Sequence, residues 1–394
     1  MSAVTSTRLF DRHTHVSLYA ALADCANLSG LDRHGALQRL MALPQGRLST
    51  VLGWRRAEHA FTDGEQERLP PALLVEFSLH GFSLTPAAEE LLRPRFPEMV
   101  ERQKDPEFAE RNLPRLLSFY ATSAGLSTDK LERFMTHLAA GGIDRAEDML
   151  LVSHEAWQVM ETSSCAPRLR AWAVPELFAT LPAEVQGSLA GLKLFLDGAL
   201  GARTAALSES YRGGGQGLLM YSDAGLRDTL QRVLPTRKPL ALHAIGDLAI
   251  AQALDALSEL KASAEPVRLE HVQFITEAQA RRARDLGLTL SMQPNFNAES
   301  QAYADRLVPH ALERNNPFRM LIDRAGFRPG KDLLFGSDGM PHGIEYAAQW
   351  GIFPLWPGQR LSAEELFAGY GAACGGEIEL EVQWDARRVR LVRR

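Results

Sequence analysis

The feature that most constrains the fold is a regular alternation of β-rich and helical stretches from residue 168 onward. The candidate strands are RLRAWAVP (168–175), GLKLFLDG (191–198), KPLALHAIG (238–246), VRLEHVQF (267–274), GLTLSMQP (287–294) and KDLLFGSD (331–338). The candidate helices between them are AGLRDTLQRVL (224–234), DLAIAQALDALSELK (247–261) and EAQARRARDL (277–286). This alternation predicts βα units on a parallel sheet, and therefore an α/β protein.

Two further stretches bring the candidate strands to eight. One is the opening run that ends at His13, and the other is a weaker run within residues 141–151. Eight parallel strands, each followed by a helix, predict a (β/α)8 TIM barrel. An open doubly wound sheet is the alternative, because the count depends on the weaker run.

Polar residues with metal-binding or catalytic chemistry lie at or near the ends of these apolar runs. They are His13, His15, Lys193, His243, His271 and Asp338. In a closed barrel the carboxyl ends of all strands meet at one mouth, so these six side chains would converge although they are far apart in sequence. In an open sheet they would not, and closure is therefore the favoured interpretation.

The tripeptide His13-Thr14-His15 fits a metal site. Residues i and i+2 of a strand point to the same face about 7 Å apart, and neutral imidazole is a good ligand for zinc and its neighbours. The pair alone is equally compatible with two buried histidines bonded to carbonyl groups. Four histidines and an aspartate at different strand ends favour one or two divalent metal ions, with zinc as the first candidate.

Lys193 lies inside the apolar run GLKLF. If the side chain points outward, it is a solvated or salt-bridged lysine. If it points inward, burial favours the free amine, which can take up carbon dioxide to form an anionic carbamate that binds metal. The strand period leaves both orientations open.

Two regions interrupt or follow the alternating pattern. Residues 45–135 are rich in Pro, Arg and Glu and predict an irregular helical lid inserted between the first two strands. Residues 375–394 alternate apolar and polar positions, which predicts a short β-rich C-terminal tail and a reduced β-rich terminal lobe. We therefore expect one hydrolase-like barrel over residues 1–374, including the lid, followed by that tail.

Composition limits the partners. The formal net charge of −5 provides no basic surface for nucleic acid. Cys25, Cys165 and Cys374 are widely spaced and lack a CxxC motif, so they predict neither a disulfide framework nor a cysteine zinc site. No apolar stretch reaches the length of a membrane span. We expect a cytoplasmic protein that acts on a small molecule and binds neither nucleic acid nor membranes.

Several of these segments together resemble a known family. LKLFLDGALGARTAAL (192–207), LHAIGDLAIAQALDAL (242–257), RLEHVQF (268–274) and LLFGSDGMP (333–341), in this order after DRHTHV, resemble the amidohydrolase superfamily, specifically its YtcJ-like branch of the amidohydrolase-3 type. SLHGFSLTPAAEELL (78–92) is similar to a further segment of that branch. The resemblance extends from about residue 8 to residue 373, and its match between residues 40 and 150 is loose.

The resemblance implies a role for each matching residue. His13 and His15 correspond to ligands of a first metal, Lys193 to a carboxylated lysine that bridges two metals, and His243 and His271 to ligands of a second. Asp338 corresponds to the aspartate that contacts metal and accepts a proton from the attacking water. Glu270 and Asp197 are expected to support ligands from behind.

The resemblance also implies an activity: hydrolysis of a C–N bond, in a small amide or cyclic amide, by metal-activated water. His80 is expected to donate to the oxyanion or to bind substrate, and Arg203 to hold an anionic or carbonyl part of the substrate. A surface histidine and an ordinary salt bridge are the alternatives for these two. Ester, lactone or phosphoester hydrolysis, deamination, or a catalytically retired binding protein are the alternative functions. Apolar surface left by the reduced lobe favours a homodimer.

Overall fold

The computed structural model describes residues 2–55, 58–76, 79–260 and 265–393. The strands are β1 (Ser2–Thr14), β2 (Ala26–Asn27), β3 (Ser49–Trp54), β4 (Ala72–Glu76), β5 (Phe82–Leu84), β6 (Ile143–Asp148), β7 (Leu169–Ala173), β8 (Gly191–Phe195), β9 (Leu240–Ala244), β10 (Val267–His271), β11 (Thr289–Met292), β12 (Leu333–Phe335), β13 (Ala372–Gln383) and β14 (Arg388–Arg393). The helices before β8 are α1 (Val16–Leu22), α2 (Arg33–Met41), α3 (Asp63–Gln66), α4 (Pro86–Leu92), α5 (Pro97–Glu101), α6 (Pro106–Arg111), α7 (Leu113–Ala124), α8 (Thr128–Ala140), α9 (His154–Thr162), α10 (Pro175–Phe178) and α11 (Ala183–Ser188). The later ones are α12 (Asp223–Val233), α13 (Asp247–Glu259), α14 (Glu277–Asp285), α15 (Glu299–Ala302), α16 (Pro309–Arg314), α17 (Ile344–Ile352) and α18 (Ala363–Tyr370).

The chain divides into two compact units. One consists of Met1–Val16 and Glu132–Arg394, and the other of Ser17–Leu131. The first unit contains a ten-stranded mixed sheet in the order β12-β11-β10-β9-β8-β7-β6-β1-β13-β14. The second contains a four-stranded sheet in the order β2-β3-β4-β5. Both units are therefore built from α and β elements.

All eight strands expected from the sequence form in the first unit. Consecutive neighbours from β1 through β6 to β12 pair in parallel. Every residue of β9 and β10 is buried, as is typical of parallel strands whose two faces are both covered. The β13–β14 hairpin extends the sheet in antiparallel fashion, because Ser2–Thr7 of β1 pair with β13. The α/β class is as expected.

The two ends of the parallel series lie next to each other. Gly336, just after β12, approaches β1 so closely that a Cβ there would lie 2.3 Å from the His13 backbone nitrogen. The Asp338 amide donates to the His13 carbonyl oxygen at 2.7 Å. Among the described residues no ladder of paired strands joins β12 to β1, so strand pairing alone does not establish the expected barrel.

The second unit differs from the irregular helical lid expected at 45–135. It begins earlier in the chain, at Ser17, and it contains a sheet. The prolines that interrupt the sequence pattern begin short helices, as Pro97 does in α5, while the apolar run after Pro71 forms β4. An apolar cluster that includes Leu40, Val51 and Leu74 forms a core within this unit.

Candidate metal centre

The six candidate side chains lie in or just after strands of the parallel series. His13 and Lys193 belong to β1 and β8, and His243 and His271 to β9 and β10. His15 directly follows β1, and Asp338 lies three residues beyond β12. Because parallel strands bring their carboxyl ends to one edge, this placement gathers the six residues at the same end of the sheet.

Three of the six converge on one point. The His15 Nε2 atom lies 3.0 Å from Asp338 Oδ1, and the His13 Nε2 atom lies 3.7 Å from the same oxygen. One ligand atom from each of these residues lies within 4.8 Å of the other two. Ligand atoms around a single zinc ion lie about 3 to 4 Å apart, given metal–ligand bonds of about 2 Å. The triad can therefore surround one divalent cation.

His13 is fixed from behind by a buried carboxylate. Its Nδ1 atom donates to Glu270 Oε2 at 2.6 Å, and both side chains are almost fully buried. Burial, reinforced by the nearby Lys193 and His15 cations, lowers the pKa of His13 well below its ordinary range. The imidazole is therefore neutral, with its lone pair at Nε2 on the side of Asp338.

Lys193 points inward and is completely buried. Among the described residues its Nζ atom has no hydrogen-bond partner. Burial lowers the pKa of Lys193 to about 8, against the opposing effect of Glu270 and Asp338. Of the two orientations that the strand period left open, the structure shows the inward one.

His271 and His243 continue the cluster through ring contacts. The His271 ring centroid lies 4.7 Å from that of His13 and 4.5 Å from that of His243. The His271 Nδ1 atom donates to Gln293 Oε1 at 2.8 Å, whereas His243 Nε2 donates to the Gly198 carbonyl oxygen at 3.2 Å. Burial, with a smaller electrostatic contribution from the neighbouring His243 and His13, lowers the pKa of His271 well below its ordinary value.

Three non-glycine residues at this end of the sheet have a backbone in the left-handed region. His271, Val272 and Asp338 have φ angles of 71°, 40° and 54°. This left-handed region is sparsely populated by residues other than glycine, and it is especially unfavourable for a β-branched residue such as Val272. Strain of this kind clusters at functional sites, where the surrounding structure enforces it.

Asp11 and Ser337 connect β1 to the segment that carries Asp338. Asp11 Oδ2 accepts from the Ser337 hydroxyl at 2.5 Å, and Oδ1 accepts from the Ser337 amide at 2.9 Å and the His13 amide at 3.1 Å. Burial raises the pKa of Asp11 to about 7, although these hydrogen bonds oppose the shift. This carboxyl group holds the backbone of two candidate ligand segments together.

Sequence reasoning missed several residues that contact the candidate ligands. Gln293 orients His271, and Asp11 and Ser337 join the segments of His13 and Asp338. Glu270 and Asp197 were expected to support ligands. Glu270 contacts His13 at 2.6 Å, and Asp197 lies 3.5 Å from His243. A usable signal existed for Asp11 and Ser337, because each is a polar residue at the end of an apolar run and within two positions of a candidate ligand. Gln293 also ends an apolar run, but no candidate ligand is near it in the sequence.

His80 and Arg203 are the two remaining candidate site residues. His80 belongs to the unit formed by Ser17–Leu131 and contacts Glu110, at 3.0 Å between Nδ1 and Oε1. Arg203 is exposed in the loop after β8, with a φ angle of 60°. Their expected roles in oxyanion stabilisation and substrate binding remain predictions.

The residues present fit a divalent metal ion. His13 Nε2 and Lys193 Nζ are buried nitrogen atoms that lack a hydrogen-bond partner within the described part of the chain. Buried polar atoms are almost always paired, so a concentration of unpaired ones indicates a missing ligand. Two imidazoles, a carboxylate and a buried amine form a donor set suited to zinc or a similar ion.

Fold and site together define an α/β protein with a candidate metal centre at the carboxyl ends of its parallel strands. The model of the Amidohydrolase family matches residues 122–367, which is more than half of the chain. The chain belongs to the amidohydrolase family.

Curated relatives agree with this assignment. The chain is 30% identical over 193 residues to YtcJ of Bacillus subtilis (strain 168), which is named as an amidohydrolase. It is 30% identical over 188 residues to Protein LONG AFTER FAR-RED 3 of Arabidopsis thaliana. These matches span 47% and 44% of this chain but only 33% and 32% of the two relatives. The activities of the complete relatives therefore do not transfer directly.

Two solved structures have a similar fold. The first is an uncharacterized metal-dependent hydrolase from Pyrococcus furiosus, with a TM-score of 0.71 and 23% identity over 94% of this chain and 81% of that one. The second, from Pyrococcus horikoshii OT3, has the same description, a TM-score of 0.69 and 23% identity over 89% of this chain and 75% of that one. At this level of identity the similarity establishes the fold.

No helix within the described residues is both long enough and apolar enough to cross a membrane.

Proposed function

We propose that this protein is a metal-dependent amidohydrolase that cleaves a C–N bond in a small amide or cyclic amide. The observation that supports this most strongly is that one ligand atom from each of His13, His15 and Asp338 lies within 4.8 Å of the other two. Family membership supports the same reaction class. The substrate type and the identity of the metal, for which zinc is our first candidate, are parts of this proposal.

The ligands divide into two groups. His13, His15 and Asp338 would hold a first metal ion, and His243 and His271 would contribute to a second. Lys193, converted to a carbamate, would be a ligand of both metal ions. Its free amine would add to carbon dioxide, forming an N–C bond and releasing one proton, and the resulting carboxylate would supply two oxygen ligands. The burial of Lys193 and its unpaired Nζ atom support this part of the proposal.

A bound divalent metal supplies two kinds of chemistry: it lowers the pKa of water toward 7 and polarises a carbonyl oxygen. The chain supplies the proton transfers. Asp338 Oδ1 accepts the proton of the attacking water and later gives it to the departing nitrogen. Its side chain is 17% exposed, so it can reach a substrate while remaining close to His15. Glu270 holds His13 in the required orientation through Nδ1.

Closure of the parallel strands into a (β/α)8 barrel is part of the same proposal. The hydrogen bond from the Asp338 amide to His13 and the Asp11–Ser337 bonds support it. Closure would bring ligands from the first and last parallel strands to one mouth, and in this arrangement loops after the strands supply specificity.

The test combines metal analysis with substrate profiling. The protein, purified without chelator, is analysed for bound metals and assayed on panels of amides, cyclic amides, esters and lactones. We expect stoichiometric zinc or a similar metal, together with amide turnover that chelation abolishes and metal restores. Turnover confined to esters or lactones would contradict the C–N assignment. Full metal occupancy without any turnover would indicate a binding protein instead.

A further inference from the structure

The interior of the parallel sheet contains a second cluster of charges. Arg268 Nη1 donates to Glu147 Oε2 at 2.8 Å, and Arg268 Nε donates to Glu270 Oε1. Glu147 also accepts from Trp172 Nε1 at 3.1 Å, and Arg12 Nη1 lies 3.7 Å from its other oxygen. Arg268, Glu147 and Glu270 are all less than 10% exposed. Positive and negative groups therefore alternate from Arg12 to Glu270.

This cluster connects two ends of the sheet. Glu147, Trp172 and Arg268 line a cavity of about 330 Å³ whose wall also includes Pro239 and Pro266, which directly precede β9 and β10. The cavity therefore lies at the amino ends of these strands. At the opposite end of the cluster, Glu270 contacts the candidate ligand His13. A continuous series of charged contacts thus leads from the amino-end cavity to the candidate metal centre.

We propose that Arg268 and Glu147 are positioning residues that fix the metal-binding nitrogen of His13 through Glu270. The inference rests on the proposed function, because it takes His13 to be a metal ligand. Neither Arg268 nor Glu147 is assigned a direct contact with metal or substrate. Their role is to determine where the Glu270 carboxylate lies, and thereby how the His13 ring is turned.

The geometry supports this role at each contact. Arg268 uses three nitrogen atoms: Nε on Glu270, Nη1 on Glu147, and Nη2 on the Arg12 carbonyl oxygen at 3.0 Å. A guanidinium group presents its N–H donors in a rigid planar fork, so these contacts together leave the group one orientation. Glu270 in turn has one oxygen on Arg268 and the other on His13. Hydrogen bonds to the far nitrogen of a ligating histidine set the orientation of its ring.

A network of ion pairs that only stabilises the fold would also consist of buried, paired charges. The test must therefore separate stabilisation of the fold from positioning of His13. Zinc affinity is measured by competition with a chromophoric chelator in the wild-type protein, Arg268→Gln, Arg268→Lys and Glu147→Gln. The control is Arg319→Gln, because Arg319 is also bonded to carboxylates, Glu365 and Asp323, but belongs to a different region. Thermal unfolding is recorded for all variants.

We expect Arg268→Gln to weaken zinc binding by about 10- to 100-fold, the usual effect of changing a residue that supports a ligand. Loss of a nearby cation would by itself strengthen the binding of a metal cation, by Coulomb's law. Positioning and simple electrostatics therefore predict opposite signs. Unchanged or tighter zinc binding in Arg268→Gln would overturn the inference, as would a matching loss of affinity in Arg319→Gln.

Two more conservative variants keep the inference testable if the Arg268→Gln protein does not fold. Arg268→Lys keeps the positive charge but lacks the fork, so we expect it to remain weaker than wild type; full recovery of affinity would overturn positioning. Glu147→Gln keeps the shape of the side chain and should weaken zinc binding less than Arg268→Gln. Unchanged affinity in Glu147→Gln would remove Glu147 from the proposal.

A spectroscopic measurement gives a second readout. Long-range ¹H–¹⁵N spectra of histidine-labelled protein report which ring nitrogen carries the proton. We expect wild-type His13 to be protonated only at Nδ1 and the Arg268→Gln variant to show a mixture. If the wild-type protein binds no metal, the proposed function fails. If it binds metal through His13 but Arg268→Gln leaves both affinity and tautomer unchanged, only the positioning inference fails.

Discussion

The two ends of the parallel strands contain equally buried polar groups, but these groups differ in how they are paired. At the carboxyl ends, His13 Nε2 and Lys193 Nζ have no hydrogen-bond partner among the described residues. Toward the amino ends, Arg268 makes hydrogen bonds with three of its nitrogen atoms, and Glu147 accepts from both Arg268 and Trp172. Arg12 Nε is the exception in that cluster, because it has no hydrogen-bond partner among the described residues. Burial alone therefore does not distinguish the two groups.

The difference separates a binding role from a supporting one. A buried polar atom without a partner costs about 1 to 3 kcal/mol. Several such atoms in one place are tolerated when a bound species satisfies them, whereas a paired network needs no additional species. Under our proposals, a ligand binds at the carboxyl-end cluster, and the amino-end cluster supports it from beneath.

The largest expected effect tests whether the unpaired nitrogen atoms bind metal. We expect His13→Ala to lose the bound metal on purification, because it removes one of the three converging ligand atoms. The measurement is elemental analysis of protein purified without chelator. His310→Ala is the matched control, since His310 is an exposed histidine paired with Glu209 and should leave the metal content unchanged. Metal retained in His13→Ala would contradict the interpretation of the carboxyl-end cluster.

The second prediction concerns Asp338. Asp338→Asn removes the group proposed to transfer protons but keeps an oxygen near His15, so we expect kcat to fall by about 10²- to 10⁴-fold. Steady-state kinetics with the best amide substrate of the screening panel measure this fall. Asp305→Asn, at an exposed aspartate beside Arg306, should retain wild-type kcat. A loss of less than about tenfold for Asp338→Asn would assign proton transfer to another group.

Much of the fold was predictable because apolar residues on the buried face of a strand or helix recur in the sequence with the period of that element. Strands β6 to β12 and the end of β1 lie within the stretches expected from apolar runs, and helices α12, α13 and α14 begin within one residue of the expected positions. The sheet of the second unit was not predictable in this way. Its strands are short, one of them only Ala26–Asn27, and two residues carry no detectable period.

The candidate site was partly predictable for a different reason. Residue type and position at strand ends indicated all three members of the converging triad, His13, His15 and Asp338. The contact between Arg268 and Glu147 was not predictable, because the two residues are 121 positions apart in the sequence. A single sequence contains no information about which buried arginine faces which carboxylate until the strand order is known.

The third prediction tests the connection between the two ligand segments. Ser337→Ala removes the buried hydroxyl that donates to Asp11 Oδ2 at 2.5 Å, and we expect a loss of about 1 to 3 kcal/mol in the free energy of unfolding. Urea unfolding of metal-free protein measures it. Ser164→Ala removes a similar bond, to Glu132 at 2.6 Å, but at an exposed position, where the expected change is within about 0.5 kcal/mol. Equal effects in the two variants would show that burial of the Asp11–Ser337 pair adds nothing.

The fourth prediction concerns His342, a partly buried imidazole near the triad that has a partner. Its Nε2 atom contacts Thr14 Oγ1 at 2.9 Å, and Phe134 packs edge-on against the ring. Burial, with a smaller electrostatic contribution from His137 and His15, lowers the pKa of His342 from about 6.5 to about 3. The unfolded chain therefore binds a proton below about pH 6.5 that the folded protein does not bind until about pH 3.

Stability contributed by neutral His342 should accordingly be complete above about pH 6.5 and decline as the pH falls toward 3. We expect His342→Gln, which cannot titrate, to reduce the fall in unfolding free energy by up to about 1.4 kcal/mol per pH unit in this window. Urea unfolding at a series of pH values, with chelator present, measures the slope. An NMR titration of wild-type His342 provides the direct control. A normal titration near pH 6.5, or identical slopes for both proteins, would show that a paired imidazole at this end of the sheet remains open to protonation.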